Sequence, residues 1–364
     1  MMRLVLPRCR AEHGSHKRGR RRSASGVTLV ELMVSIAIGL LIVASLAMLF
    51  VANSRTRGEI ERSGQQLESG RLAMELLRDD IHQAGYFGGF PAATVQAISP
   101  CVPRTGVALN AANLGWQTAP AVVTPLPIHG YASGDTPATE TCISNQKADT
   151  DVLIVRSVEA APLTLASATG SSFANDYFLQ VSSCANAAVD AAGAPFVVAP
   201  GGAGAATRFT LHARDCVSAA PLNRLVVRAY YVGRCSVCTG AGDGIPSLRM
   251  VELNGSTATS ASVVDGIESM RVEYLLDTAA KGQPDSIRRC KAGVDGCTLA
   301  DWTHVSAVQV YLLARNLSPS PDYADAKSYA MGLAGTLPPA GDRYKRRLYS
   351  ALIVARNLAG PREH

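Results

Sequence analysis

An uninterrupted apolar run near the N-terminus constrains this chain more than any other feature. From Leu32 to Ala52 no residue is charged, and only Ser35 and Ser45 are polar. These twenty-one residues, as a helix rising 1.5 Å per residue, reach roughly 30 Å, the thickness of a bilayer's hydrocarbon core. We therefore expect a membrane-spanning helix rather than a buried helix of a soluble protein. The predicted transmembrane residues include Leu32, Ile36, Leu40, Val43, Leu46 and Phe50.

The charges on either side of the run predict its orientation. Residues 1–26 hold eight Lys and Arg against one Glu, and the run is followed by the weaker pair Arg55 and Arg57. This asymmetry places the N-terminus in the cytoplasm and everything from about residue 55 outside it. A secretory signal would be shorter and would end in small residues before a cleavage site, which FVANSRTRGEIERSG does not offer.

The net charge of +6 belongs to this basic leader, because the chain after Gly26 carries only about −1. The body therefore gives no electrostatic case for binding nucleic acid.

One carboxylate, Glu31, lies at the mouth of the apolar run. The positive end of the helix dipole would tolerate it there, whereas deeper in a membrane an unpaired charge costs about 2.5–3.5 kcal/mol and calls for a partner. Cleavage after Gly26 would free an α-amine at Val27, one helical turn away. We therefore expect the Glu31 carboxylate to pair with the Val27 amine of a neighbouring copy or relative, and so to set axial register.

The stretch SASG-VTLVELMVSIAIGLLIV resembles the N-terminal motif of type IV prepilins and type II secretion pseudopilins. Gly26 matches the glycine before the cut, and Glu31 matches the glutamate at the fifth position after it. The resemblance implies that a prepilin peptidase of the inner membrane removes the leader and methylates Val27. Val27 itself departs from the family, which usually has Phe or Met there.

A second amphipathic pattern continues the helix beyond the membrane span. Apolar residues recur every seven positions at Ile60, Leu67, Met74 and Ile81, and Leu77 and Ala84 fill the same face. We expect this half to pack on the chain's own domain, with an isolated coiled coil as the alternative. Gly85 and the aromatic residues after it should end the helix. The pair Asp79–Asp80 is assigned to its solvated side.

LLRDDIHQAGYFGG resembles the minor pilin W family. The late stretches VVDGIESMRVEYLLD, VSAVQVYLLARN and RRLYSALIVARNL are similar to that family's last strands. The resemblance implies a pilin-like α+β fold, in which the outer half of a long N-terminal helix packs on an antiparallel sheet domain with a loop-rich, cysteine-containing insertion.

The middle of the chain carries strand-like runs without a recognisable motif. Residues 91–150 read as loops, and four runs after them as strands: DVLIVRSV, DYFLQVSS, RFTLHARDC and RLVVRAYYVGRC. SLRMVELN and the final strands complete one antiparallel sheet. ANAAVDAAGAPFVVAPGGAGAAT reads as a mobile surface excursion. The predicted division is a leader at 1–26, a membrane half-helix at 27–54, an outer half-helix at 55–85, an insertion region at 86–250 and a β region at 251–364.

Cysteine number favours an oxidising compartment. Of nine cysteines, Cys9 lies in the leader and eight remain beyond the span, an even number that suits periplasmic disulfides. The candidates are Cys101, Cys142, Cys184, Cys216, Cys235, Cys238, Cys290 and Cys297. Their connectivity is not readable from sequence, although Cys290 with Cys297 is the favoured local pair. A zinc site formed by these two with Cys235 and Cys238 is the alternative, disfavoured by the spacing. A thioredoxin-like role for CSVC lacks the flanking βαβ pattern.

Catalytic signals are weak throughout. Outside the leader and the terminal His364, the histidines His82, His129, His212 and His304 are scattered, with no H-E-x-x-H, G-x-S-x-G or P-loop pattern. Asn254–Ser256 matches a glycosylation acceptor but reads as a turn. The sequence therefore predicts no enzyme, catalytic residue, metal or cofactor.

These features predict a structural protein, a minor pilin that resembles pilin W. The resemblance implies that it waits in the inner membrane with its domain in the periplasm, primes pilus assembly, and then occupies the pilus tip. It implies partners among the other minor pilins and the major pilin through helix packing, together with the assembly platform, its ATPase and a large tip adhesin. It also implies roles in cell adhesion and twitching motility. The alternatives are a J-like pseudopilin of type II secretion and a membrane-anchored periplasmic enzyme or redox protein rich in disulfides.

Overall fold

A computed structural model describes residues 26–91, 94–104, 106–186, 189–190, 195–255 and 257–359. The leader up to residue 25, including Cys9, His13 and His16, lies outside these residues, as do Ser256 and His364. The chain forms two compact units, 1–58 and 59–364, which are described separately.

The first unit, in its described part, is the beginning of helix α1 (Leu29–Gln83). No residue from 26 to 57 is buried. Its two serines satisfy their hydroxyls within the helix, since Ser35 Oγ donates to the Glu31 carbonyl at 2.7 Å and Ser45 Oγ to the Leu41 carbonyl at 2.8 Å. Such bonds to the preceding turn let a polar side chain sit in an apolar surrounding.

In the second unit, α1 ends where the chain needs a left-handed residue. Gly85 has φ +77°, the conformation that glycine adopts without a Cβ clash after a helix. Asn357 Nδ2 donates to the last carbonyls of the helix, at 3.4 Å from His82 O, 3.3 Å from Gln83 O and 3.2 Å from Ala84 O. The end of the chain therefore caps α1.

Two antiparallel sheets, rather than the single predicted one, make up most of the second unit. The larger has seven strands, in the order β3-β4-β7-β5-β6, with β8 on β7 and β9 on β8. Its members are β3 (Ile128–Tyr131), β4 (Val152–Val158), β5 (Tyr177–Val181), β6 (Phe196–Pro200), β7 (Leu222–Gly233), β8 (Ser247–Asn254) and β9 (Thr257–Asp265).

The smaller sheet has four strands in the order β11-β10-β12-β15. They are β10 (Ile267–Leu276), β11 (Ser286–Arg288), β12 (Val305–Arg315) and β15 (Arg346–Val354). The late stretches expected as final strands are therefore strands. The first stretch, VVDGIESMRVEYLLD, is divided at Gly266 between the end of β9 and β10.

Short elements fill the connections. Two strand pairs are β1 (Thr94–Gln96) with β2 (Val123–Pro125), which is parallel, and β13 (Tyr329–Ala330) with β14 (Thr336–Leu337). The helices are α2 (Leu165–Ala168), α3 (Ala205–Arg208), α4 (Leu299–Thr303) and α5 (Arg356–Ala359), with 3₁₀ turns at Ala112–Leu114, Ser171–Phe173 and Gly332–Ala334. The stretch 91–150 is thus not loop alone.

The main hydrophobic core lies between α1 and both sheets. Its fully buried members include Leu77 and Ile81 from the helix, Leu153 from β4, Val272 from β10 and Val310 from β12. Burying these side chains supplies the main stabilisation of the outer half-helix.

The predicted heptad face is right at Met74, Leu77, Ile81 and Ala84, which are buried, and wrong at its start. Ile60 and Leu67 are exposed, whereas Gln66 is buried and its Nε2 donates to the carbonyls of Ala314 and Lys345 at 2.9 and 2.8 Å. A seven-residue step drifts by about 20° on a straight helix, so the three steps from Ile81 back to Ile60 add up to about 60° and take Ile60 off the buried face.

Two predictions in the middle region are wrong. RFTLHARDC is not a strand. Its first residue, Arg208, is the last residue of α3. The Leu211 backbone then bonds to the Gln180 side chain instead of to a neighbouring strand: the Leu211 N–H donates to Gln180 Oε1 at 3.0 Å, and Gln180 Nε2 donates to the Leu211 carbonyl at 3.1 Å. The small-residue stretch predicted to be a mobile excursion contains β6, which pairs with β5; its residues 187–188 and 191–194 lie outside the described part.

Candidate functional site

The predicted site depends on Gly26, Val27 and Glu31, which lie at the start of α1. Gly26, Val27 and Thr28 precede the helix and are exposed. Thr28 acts as the N-cap: its Oγ1 accepts the Glu31 backbone N–H at 3.2 Å, and its carbonyl accepts the Leu32 N–H at 3.1 Å. The Gly26–Val27 peptide bond therefore lies outside the helix in an accessible segment.

The Glu31 carboxylate has no partner within the described part of the chain. Thr28 and Glu31 have the spacing of a capping box, but only the bond from the Glu31 N–H to Thr28 forms, and the Glu31 side chain remains exposed. It lies in the first turn of α1, where the helix dipole favours a negative charge. The capping requirement is met without the carboxylate, which leaves it available to a group on another molecule.

The apolar run that follows forms one continuous helical surface. The six predicted transmembrane residues are each more than half exposed: Leu32, Ile36, Leu40, Val43, Leu46 and Phe50. The mean hydropathy of its most apolar window is 2.7, and α1 is long and apolar enough to cross a membrane. Contiguous apolar exposure of this extent is characteristic of a surface that meets lipid or other protein.

The eight cysteines of the body form four disulfides. They pair Cys101 with Cys142, Cys184 with Cys216, Cys235 with Cys238, and Cys290 with Cys297. The last is the favoured local pair. Since the four sulfurs of the zinc alternative are all in disulfides, they are not the free thiolates that zinc requires. Among the described residues, no group of three or more His, Cys, Asp or Glu is arranged to hold a metal ion.

Asp80 is a structural residue that the sequence reasoning missed. It was assigned to the solvated side of the helix, yet it is buried, and its carboxylate accepts from Arg228 Nη1 at 2.8 Å and from the Tyr230 hydroxyl at 2.6 Å. Burial, and then the Asp80 charge, raises the pKa of Tyr230. Its spacing could have revealed it, because Asp80 lies three residues after Leu77 and next to Ile81 on the buried face.

The histidines have separate structural surroundings. His129 is buried and its Nδ1 lies 3.0 Å from Arg156 Nη1; burial, then the Arg156 charge, holds its pKa well below the usual value. His82 contacts the Val354 carbonyl, His212 contacts Asp190, and His304 contacts the Asp277 carbonyl. Each of these four histidines thus has a partner of its own, and the contacts do not bring them together into one site.

Comparison with known families gives two matches. Residues 21–47 match the prokaryotic N-terminal methylation motif, and residues 229–357 match the family described as Type IV Pilus-assembly protein W. The second match runs from within β7 to α5 and so includes the whole smaller sheet. No curated protein matches the chain.

A type IV-like pilin from Thermus thermophilus is similar in structure, at 14% sequence identity and a TM-score of 0.36, with 80% of this chain and 96% of that one covered. This likeness is too distant to support a functional conclusion. The two family matches agree with the resemblance drawn from the residues. The chain therefore combines a match to the prokaryotic N-terminal methylation motif with a match, over residues 229–357, to the family described as Type IV Pilus-assembly protein W.

Proposed function

We propose that this chain is a minor pilin that primes assembly of a type IV pilus and resides at the pilus tip with other minor pilins. One observation carries the proposal: an exposed apolar half-helix follows a pilin methylation motif, and its one carboxylate, Glu31, has no partner in the described chain. The type IV pilus-assembly protein W region favours the pilus over the J-like secretion pseudopilin.

The segment before α1 is processed before assembly begins. A prepilin peptidase cuts between Gly26 and Val27, removes the basic leader, and methylates the new amine. The mature chain stays in the inner membrane by its apolar helix, with the N-terminus at the cytoplasmic side. The body, with its four disulfides, folds in the oxidising periplasm.

Assembly moves the apolar half-helix from lipid into a bundle of similar helices. An unpaired carboxylate in that bundle would be costly, so the Glu31 carboxylate pairs with the Val27 amine of an adjacent pilin. The pair fixes the axial register between subunits. The assembly platform and its ATPase supply the force, and a large adhesin at the tip links this protein to adhesion and twitching motility.

Deletion of the gene, followed by separate assays of surface pili and of protein secretion, tests this proposal. Loss of pili with normal secretion supports the pilus role. Loss of secretion with normal pili replaces it with the pseudopilin role, and retention of both leaves the periplasmic enzyme or redox alternative.

Mass analysis of the mature protein tests the processing step. The N-terminus should be methylated Val27. An N-terminus after residue 50 would instead indicate an ordinary signal peptide.

A further inference from the structure

The Cys235–Cys238 disulfide differs from the other three in how little chain it closes. It joins residues three positions apart in the loop between β7 and β8, whereas the other pairs are separated by 41, 32 and 7 positions. The chain entropy that a disulfide removes from the unfolded state is smaller when the closed loop is shorter. On this ground the CSVC pair contributes least to holding the fold together.

A buried guanidinium lies against this disulfide. Arg249 on β8 is only 9% exposed, and its Nη1 is 3.7 Å from Cys238 Sγ, 2.9 Å from the Ser236 carbonyl and 3.3 Å from the Cys235 carbonyl. Gly233 makes room for it, because a Cβ there would come within 2.4 Å of the Arg249 Cδ. Of the eight cysteine sulfurs in the described residues, Cys238 Sγ is the one that a guanidinium contacts.

Arg249 has no anionic partner in the described part of the chain. Its other contacts are to Ser260, from Nε to Oγ at 3.3 Å and from Nη2 to the carbonyl at 3.5 Å. None of the ion pairs among the described residues includes Arg249. A buried cation held only by neutral dipoles is unusual, since buried charges are normally paired. Reduction of the disulfide would supply the missing anion as the Cys238 thiolate.

Hydrogen bonds independent of the S–S bond also hold the loop. Asp243 accepts backbone N–H groups from Ser236 at 3.1 Å, Val237 at 2.9 Å and Ile245 at 3.0 Å. Ser247 Oγ donates to the Cys235 carbonyl at 3.2 Å. These bonds do not involve the sulfur atoms, and they would keep the two cysteines near each other after reduction. Cys238 is partly exposed, whereas Cys235 is buried, so an incoming thiol reaches Cys238 first.

We propose that Cys235–Cys238 is a thiol-exchange site, reduced and reoxidised by dithiols while the other three disulfides stay closed, with Arg249 stabilising the Cys238 thiolate. This proposal does not depend on the pilus role. It also does not make the chain a thioredoxin-like enzyme.

The exchange balances with a dithiol as the co-reactant. A thiolate of the dithiol attacks Cys238 Sγ, a mixed disulfide forms, and the Cys235 sulfur leaves as a thiolate that takes a proton from solvent. The second thiol of the reductant then loses its proton and attacks the mixed disulfide at the reductant's own sulfur. The dithiol becomes a disulfide, and Cys238 is released as a thiolate beside Arg249. Two electrons pass from the dithiol to the protein.

Equilibration of the full-length protein in detergent with graded dithiothreitol redox buffers tests the order of reduction. Free thiols are alkylated at each step and located by peptide mass analysis. Cys235 and Cys238 should be labelled in buffers that leave the six cysteines of the other three disulfides unlabelled. Earlier or simultaneous reduction of any other pair would overturn the proposal, and this wild-type result needs no variant.

Two variants isolate the role of the charge. Arg249→Met should lower the equilibrium constant for reduction of Cys235–Cys238 about tenfold, equivalent to about 30 mV, because an adjacent cation favours the thiolate. Arg249→Lys should recover part of the loss. The matched control is Arg234→Met, since Arg234 lies next to Cys235 but bonds to Asn145. An unchanged equilibrium constant in a folded Arg249→Met protein, with its other disulfides intact, would contradict the proposed role of Arg249.

Discussion

The two halves of α1 share one secondary structure and differ in everything that stabilises it. From 26 to 57 no side chain is buried. In the half that belongs to the second unit, the buried residues are Gln66, Gly70, Ala73, Met74, Leu77, Asp80 and Ile81. The second half is stabilised by packing and ion pairs within its own chain. The first half presents exposed apolar surface, which we propose is covered by lipid before assembly and by the helices of other pilins after it.

In the second unit (59–364, called the body below), the largest expected effect on stability comes from replacing a buried carboxylate. Asp151 accepts from Arg271 at 3.1 Å, Arg289 at 3.3 Å, and the backbone N–H groups of Ser133 and Val272 at 2.9 Å. Asp151→Ala leaves these donors unpaired and should destabilise the body by about 3–5 kcal/mol. Chemical denaturation in detergent measures this. Asp79→Ala, at an exposed position of α1, is the control, and equal stability of the two variants would contradict the account.

Matched leucines on the two halves of α1 test the comparison itself. Leu77 is fully buried, so Leu77→Ala should cost about 2–5 kcal/mol of body stability. Leu40 is 65% exposed, and Leu40→Ala should change that stability by less than about 0.5 kcal/mol. The same denaturation curves give both values. A comparable loss from Leu40→Ala would mean that the first half packs within its own chain.

A smaller effect concerns pH and belongs to the body alone. The Ser218 hydroxyl and then the backbone N–H groups of Val217 and Ser218 lower the pKa of Asp215 to about 2. Hydrogen bonds similarly lower the pKa of Asp190 and Asp301.

The unfolded carboxyl has a pKa of about 3.9, so the folded state binds fewer protons in this range. This contribution to stability is complete above about pH 4 and is lost as pH falls through about 2. Melting temperatures between pH 5 and pH 2 should therefore fall, and slightly less steeply in Asp215→Asn. A melting temperature that rises on acidification would contradict the assignment.

The sequence predicted well the features that depend on local pattern. The apolar run and the end of the helix at Gly85 are encoded by length, periodicity and turn residues. The strands β10, β12 and β15 were expected from the resemblance of their stretches to the last strands of the pilin W family. Helical spacing, applied position by position, would also have placed Asp80 on the buried face.

The features that it missed depend on pairing between distant segments. β6 forms within a small-residue stretch because Phe196–Pro200 pairs with β5. The segment around Leu211 does not form a strand because its backbone N–H and carbonyl are hydrogen-bonded to the Gln180 side chain. The division into two sheets also depends on which strands meet. At the candidate site, Gly26, Val27 and Glu31 were predicted from a short motif and stay predictions, whereas the capping role of Thr28 and the unpartnered state of the Glu31 carboxylate required the structure.

The most direct test of the central claim compares two carboxylates of α1. Glu31→Ala and Glu61→Ala each remove one exposed carboxylate, and surface pili are counted in strains that carry membrane-inserted, stably produced variants. We expect Glu31→Ala to abolish or strongly reduce piliation, because the pair with the neighbouring Val27 amine is lost. Glu61→Ala should leave piliation normal. Normal piliation with Glu31→Ala would contradict the intermolecular role of this carboxylate.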